Sequence, residues 1–324
     1  MAFPSYDELY RQDLVDVSKA LTTSNTAAIP VFLPEKITAL ANYKNPFRAE
    51  LQRKNQPMGS VYKVVRAASG TADWLADGTD PTDRTGDPAD TDFAFKRVAA
   101  RIKITQFRRA MSGTGRPGID LFVDEIRRKV MDIRDVEDLA YCVGASATGQ
   151  NNPQGLKYLI GDAQRVLMGS CTAGTTLTLK KIDETMDKCA PMSPDFAVTS
   201  LAIRRELHAL LQDQQRYVNV TTTARGGFAL MTYADAYVFP STNMSITQNF
   251  NGTSEGDETG GTTGSIYFGN FDTFYVGILA NADMKVTPTM LGTTIWDSVD
   301  IESWETTVLE HTGEVSKLIG IGYS

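Results

Sequence analysis

Between residues 44 and 109 the chain carries its charge in blocks, and that pattern restricts its folding more than any other stretch. Lys44, Arg48, Arg53, Lys54, Lys63 and Arg66 stand against a single acid, Glu50. Asp73, Asp77, Asp80, Asp83, Asp87, Asp90 and Asp92 then stand against a single base, Arg84. Lys96, Arg97, Arg101, Lys103, Arg108 and Arg109 follow with no acid among them. Both basic arms contain strand-like apolar runs, and the middle is rich in Gly, Pro and Asp, so the stretch reads as a long β-hairpin with an anionic tip. A two-stranded projection has little core of its own and is marginal alone. It is expected to lie on something else, a second copy of the chain being the first choice.

The rest of the composition narrows the function. A chain of 324 residues with 42% apolar content can bury a sizeable core in one elaborated domain or a few smaller ones. A net charge of -7 argues against a binder that works by neutralising phosphates. No apolar run reaches the length of a membrane span, and the N-terminus MAFPSYDELY lacks the basic and apolar regions of a secretory signal. Cys142, Cys171 and Cys189 are odd in number and far apart, and only His208 and His311 are present. Neither a disulfide framework nor a zinc site is expected, and the expected compartment is a reducing cytoplasm.

Residues 1–28 read as a polar arm with one short helix, and Ile29–Pro34 as extended, because a residue before proline is pushed toward β or polyproline geometry. A short helix is expected near 35–41. Hairpin strands are expected near 60–67 and 93–107, with the tip between 71 and 92. A long helix follows. Pro117 suits its first turn, Gly144 stops it, and Ile119, Phe122, Ile126, Val130, Ile133, Val136, Ala140 and Val143 form one apolar stripe. At about 26 residues it spans roughly 39 Å. Asp124 with Arg128, and Glu125 with Lys129, are the expected i,i+4 pairs. Helices near 180–190 and 200–218 flank a buried strand at 196–199. Further strands are expected near 227–238, 266–280, 284–287 and 305–309. Residues 252–264 contain no apolar anchor and are expected to be exposed and mobile.

Motifs for chemistry are weak. Gly113-Thr-Gly115-Arg-Pro-Gly118 matches G-x-G-x-x-G, but no buried strand precedes it and Asp135 and Asp138 lie inside the helix, so it reads as a turn and helix start. Neither histidine accompanies a Ser or Cys nucleophile motif. His208 reads as a polar-face residue and His311 as part of a strand-end turn. The tip acids lack the spacing of a calcium loop. Trp74, alone in the tip, reads either as self-packing or as an anchor in a neighbour's pocket. No catalytic, metal or cofactor residue is assigned.

The order of segments resembles the major capsid proteins of tailed bacteriophages, with the Hong Kong 97-type fold. The residues that carry the resemblance are Ile29-Pro30, Ala72-Asp73-Trp74-Leu75-Ala76-Asp77-Gly78, the helix to Val143, Asn152-Pro153-Gln154-Gly155, Phe196 to Ser200 with its following helix, and Gly269-Asn270-Phe271. It implies an α+β fold with an N-terminal arm (1–44), an extended loop (45–110), a peripheral domain (111–181 and 285–314, with a spine helix at 117–143) and an axial domain (182–284 and 315–324). It implies a non-enzymatic subunit that self-assembles, as hexamers and pentamers, into an icosahedral virion shell around double-stranded DNA. Assembly would occur in the host cytoplasm, with a portal and a scaffolding protein, a cement protein as a further partner, weak DNA contact, no membrane and no cofactor. Intersubunit contacts are expected from Asp73, Trp74, Asp77, Asp80 and Asp83 to Arg101, Lys103, Arg108, Arg109, Arg127 and Arg128. Some relatives bond subunits covalently through a loop lysine. Here no lysine lies between Lys63 and Lys96, so no such bond through the tip is expected. An encapsulin-like cargo compartment shares the fold and is the nearer rival; a soluble nucleotide-binding enzyme is the rival from another class.

Overall fold

The computed structural model describes residues 46–56, 59, 61–66, 89–105, 121–145, 151–213, 222–223, 229–280, 282–289 and 296–322, all within the compact unit Ala39–Ser324. In chain order the elements are α1 (Pro46–Glu50), β1 (Arg53–Gln56), β2 (Val61–Arg66), β3 (Ala89–Ala94), β4 (Lys96–Thr105), α2 (Leu121–Val143), α3 (Leu156–Leu159), β5 (Arg165–Leu167), α4 (Leu179–Asp187), β6 (Phe196–Ser200) and α5 (Leu201–Asp213). Then come β7 (Thr222–Thr223), β8 (Ala229–Tyr233), β9 (Ala236–Ser241), β10 (Thr263–Gly269), β11 (Phe274–Leu279), β12 (Lys285–Thr289), β13 (Trp296–Leu309) and β14 (Ser316–Gly322). The expected arm, its short helix, the hairpin tip and the G-x-G-x-x-G turn lie outside the described residues.

Two sheets organise the body. One runs β1-β11-β13-β12, with β4 beside β13; the other runs β5-β14-β10-β6-β9-β8-β7. The second has both faces covered. Phe196 and Val198 of β6 face one buried cluster with Phe47, Tyr141, Cys142, Phe239 and Phe274. Ala197 between them faces another with Ile182, Ile203, Leu207, Leu211 and Leu318. A strand buried on both faces loses the polar alternation, which is why this one reads as a continuous apolar run. The expected apolar faces of α4 and α5 are the ones buried here. The first sheet is covered on one face by α2, through Ile102, Ile133 and Ile301, at about 1.5–3 kcal/mol for each such side chain removed from water.

The structure redraws several sequence expectations. The single strand at 227–238 is a hairpin, β8 and β9, turning at Ala234 and Asp235, whose φ values are 46° and 71°. The single strand at 266–280 is two strands in different sheets, because Asn270–Thr273 turn between β10 and β11. The short strand at 305–309 is the end of the 14-residue β13, which pairs with β4 from Trp296 to Glu305. The return of the hairpin begins at Ala89, so Asp90 and Asp92 belong to its stem. On α2, Val136 is 50% exposed, while Glu137 and Asp138 are buried. Among the described side chains of α2, Arg128 pairs with Glu125 and Lys129 with Asp132, at i,i+3, while the Asp124 side chain lies outside the described residues. Gly144 does end α2: a Cβ there would lie 2.4 Å from the carbonyl oxygens of Ala140 and Pro153.

The glycine-rich 252–264 segment is not a free loop. Lys157 Nζ donates to the Gly256 carbonyl at 2.5 Å and to Glu258 at 2.6 Å. Lys317 pairs with Glu255 at 2.8 Å, and both side chains are at least nine-tenths buried. The Tyr267 hydroxyl donates to Glu255 at 2.8 Å. Polar anchors from elsewhere in the chain hold this loop where apolar ones are missing.

Candidate assembly surface

The hairpin stem leaves the body as a two-stranded ribbon. Val61↔Ala94 through Arg66↔Ala89 are in antiparallel register. One face of the ribbon is seated: Val64 and Phe93 pack on Tyr275 and Val308, with Tyr62 beside them. Tyr62 lies against Gly277 so closely that a Cβ there would meet the ring at 2.6 Å. The Tyr275 hydroxyl donates to Glu310 at 2.6 Å and lies 3.1 Å from the Tyr62 hydroxyl. Lys54 Nζ stands 3.5 Å above the Tyr275 ring. The other face is open, with Val65 63% exposed and Lys63 3.9 Å from Asp90 and 3.7 Å from Asp92. A groove of about 250 Å³ runs between β2 and Tyr275, Glu310 and His311.

The root of the ribbon is built differently. Phe47 of α1 is fully buried, 5.1 Å from the Phe196 ring and 5.9 Å from Phe239. Behind it the doublet Glu137-Asp138 of α2 faces two ways. Glu137 takes the Arg48 guanidinium at 2.5 Å and lies 4.0 Å from Arg53. Arg53 reaches Glu305 of β13 at 2.9 Å and Asp283 at 3.4 Å. The Tyr141 hydroxyl donates to the same Glu305 oxygen at 2.8 Å. Asp138 instead accepts from Ser241 at 2.9 Å and Asn243 at 3.0 Å, at the end of β9, and from the Arg48 amide at 3.3 Å. Two adjacent carboxylates therefore tie α2 to the ribbon root, to the first sheet and to the second.

Burial sets the electrostatics of this joint. It pushes the Glu137 carboxyl above its ordinary value, against the pull of Arg48 and Arg53. Burial, and then the Glu137 charge, carry Glu305 up to about 7, against Arg53. Burial raises Asp138 too, opposed by its hydrogen bonds from Asn243 and Ser241. Burial lowers Arg134, helped by the neighbouring Arg48 charge. For Arg53 burial pulls down, and Tyr141, Glu137, Glu305 and Asp283 together overcome it.

Of the residues expected to touch neighbours, Asp73, Trp74, Asp77, Asp80, Asp83, Arg108 and Arg109 lie outside the described residues. Arg101 and Lys103 are on the exposed face of β4. The Arg101 guanidinium clasps Asp300, its register partner, with bonds of 2.6 and 2.7 Å, and Arg97 holds Glu302 at 2.8 Å. Arg127 and Arg128 are exposed on α2. The buried joint was missed in the sequence. Its signal was helical register: Glu137 sits four residues after Ile133 and four before Tyr141, on the side that packs. Among the described residues, no group of His, Cys, Asp and Glu could hold a metal, and no helix is long and apolar enough to cross a membrane.

The chain has the Hong Kong 97-like fold, as its likeness to solved structures shows. The chain is similar to the holo-SrpI encapsulin of Synechococcus elongatus PCC 7942, with a TM-score of 0.64 at 11% identity over 99% of this chain and 97% of that one. It is similar to the capsid of a native GTA particle, with a TM-score of 0.63 at 11% identity over 94% of this chain and 99% of that one. It is also similar to a structure of Mycobacterium phage Adephagia, with a TM-score of 0.52 at 13% identity over 100% of this chain and 99% of that one. No protein-family model matches the chain, and no curated protein matches it in sequence.

Proposed function

We propose that the chain is a major capsid protein: the subunit of an icosahedral virion shell around double-stranded DNA, with no catalytic activity of its own. The observation that carries this reading is the likeness in fold, over more than nine-tenths of the chain, to the capsids of a GTA particle and of a cyanophage. The seated ribbon with an open outer face supports it, since such a projection offers a surface to a neighbour. Hexamers and pentamers would form through heterologous contacts that close into rings. The acidic tip, with Asp73, Trp74, Asp77, Asp80 and Asp83, would lie against Arg101, Lys103, Arg108, Arg109, Arg127 and Arg128 of a neighbour. Ion pairs at a surface contribute about 0–1 kcal/mol each, so they would set register. Apolar burial, over about 2,000 Å² or more for each pair, would supply the affinity. The four-part division into arm, extended loop, peripheral and axial domains belongs to the same reading. A portal, a scaffolding protein and a cement protein are the expected partners, the net charge of -7 fits weak contact with the genome, and assembly would take place in the host cytoplasm.

The likeness to an encapsulin over 99% of the chain supports a second reading, a compartment for protein cargo. Size-exclusion chromatography and negative-stain imaging of the purified full chain test the shell; closed particles are expected, and a stable monomer refutes both readings. The ultraviolet absorbance ratio of particles from the native source separates the two: nucleic acid inside supports the capsid, protein cargo the compartment.

A further inference from the structure

We propose that Glu305 is a proton-operated latch at the root of the ribbon, so that the acidity of the surroundings sets how readily the edge strand β1, paired with β11 and held to β13 and α2 by the Arg53 side chain, opens. The geometry is a crowded interior junction. Glu305 is 3% exposed and stands in register between Lys96 of β4 and Ile278 of β11. One of its oxygens takes both the Arg53 guanidinium at 2.9 Å and the Tyr141 hydroxyl at 2.8 Å. The charged and titratable groups around it are Arg48 from α1, Arg53 from β1, Glu137 and Tyr141 from α2, and Lys96 at its register position on β4, with Arg134 of α2 and Asp283 before β12 acting on Arg53 and Glu137 in turn. One guanidinium, Arg53, serves two buried carboxylates, Glu305 at 2.9 Å and Glu137 at 4.0 Å. Glu137 has Arg48 at 2.5 Å as its own partner, so it is burial, with a second buried carboxylate close by, that favours a proton on Glu305, against the pull of Arg53.

The direction follows from the raised value of about 7 against the ordinary 4.5. The closed joint holds its proton more tightly than an opened, hydrated one. The stability this group contributes is therefore complete below the ordinary value and is lost as pH rises through about 7. Acid keeps the joint shut, and it loosens as pH rises toward neutrality, the reverse of an exposed ion pair, which acid would weaken. The opening equilibrium should rise by up to about tenfold per pH unit within that window and level off above it. The consequence reaches the ribbon because β1 leads directly into it, with Gln56 Nε2 donating to the Val61 carbonyl at 3.3 Å. The inference does not rest on the assembly reading; its failure would leave that reading intact.

The test is hydrogen exchange at the backbone amides of Arg53–Gln56 in the full-length protein, from about pH 5 to about pH 8, after division by the intrinsic exchange rate. Opening should increase with pH in the wild type and become flat in Glu305→Gln. Tyr141→Phe, which removes a hydrogen bond to the ionised form, should move the midpoint to higher pH and serves if Glu305→Gln does not fold. His311→Gln, changing an exposed histidine outside the joint, should keep the wild-type profile. A flat or acid-increasing wild-type profile, a dependence that survives Glu305→Gln, or an unmoved midpoint in Tyr141→Phe overturns the proposal.

Discussion

Replacing Glu137 by alanine tests whether the joint behind the ribbon holds the molecule together as its geometry requires. The carboxylate is fully buried, the Arg48 side chain is 13% exposed and that of Arg53 24%, so neither arginine can recover full hydration when the acid is removed. Breaking a buried pair from one side costs about 3–5 kcal/mol. The residual water access of the arginines, and the burial penalty that Glu137 itself no longer pays, place the expected loss near the lower end, about 3 kcal/mol. Against a net stability of about 5–15 kcal/mol that is a fifth or more of the total. Equilibrium urea unfolding of the unassembled subunit should show it as a lower midpoint. The double variant Arg48→Met/Glu137→Leu should recover much of the loss, because an apolar replacement removes both desolvation penalties at once. Arg101→Ala is the control: it removes a two-bonded pair to Asp300, but Arg101 is about half exposed, and the midpoint should stay near that of the wild type. A Glu137→Ala midpoint indistinguishable from wild type, or a double variant no better than the single, refutes the reasoning.

Three further outcomes are expected. Gly277→Ala should lift Tyr62 from its seat, since the new Cβ would begin 2.6 Å from the ring, at a cost of about 1–3 kcal/mol measurable as a lower melting temperature and faster proteolysis of the ribbon. Ala234→Gly should stabilise the β8–β9 turn by about 1 kcal/mol, because alanine there is held at a φ of 46°, and a lower melting temperature would contradict that. Lys317→Met should leave Glu255 charged and buried, destabilise the protein by about 3 kcal/mol, and free residues 252–264 to limited proteolysis; resistance equal to the wild type would show that the loop has other anchors.

Much of this architecture could be read from periodicity. The apolar stripes of α4 and α5 and the run Phe196–Ser200 were legible because their environments are uniform along their length. The long helix was legible for half its length. Toward its end it stops lying on one sheet and passes between several elements, so a single stripe no longer describes it and the acids at Glu137 and Asp138 turn inward. Strand breaks were missed where the turn residues carried no Gly or Pro signal, as at Ala234-Asp235, or where the Asn270 side chain closes the turn by accepting from the Asp272 amide. Polar anchoring was missed because a buried Lys317–Glu255 pair joins residues 62 apart and looks, locally, like two surface charges. The block pattern of charge did locate the ribbon stem, but part of the basic charge assigned to neighbours, on Arg101, is spent within the chain on Asp300, as Arg97 beside it is on Glu302.

A three-dimensional reconstruction of particles assembled from the purified full chain tests the central claim most directly. The account predicts closed shells in which the ribbon beginning at Val61–Arg66 continues onto the surface of an adjacent subunit and brings Asp73 to Asp83 against that subunit's basic face. Particles in which this segment turns back over its own subunit and touches no other copy, or a chain that never leaves the monomer, would contradict it.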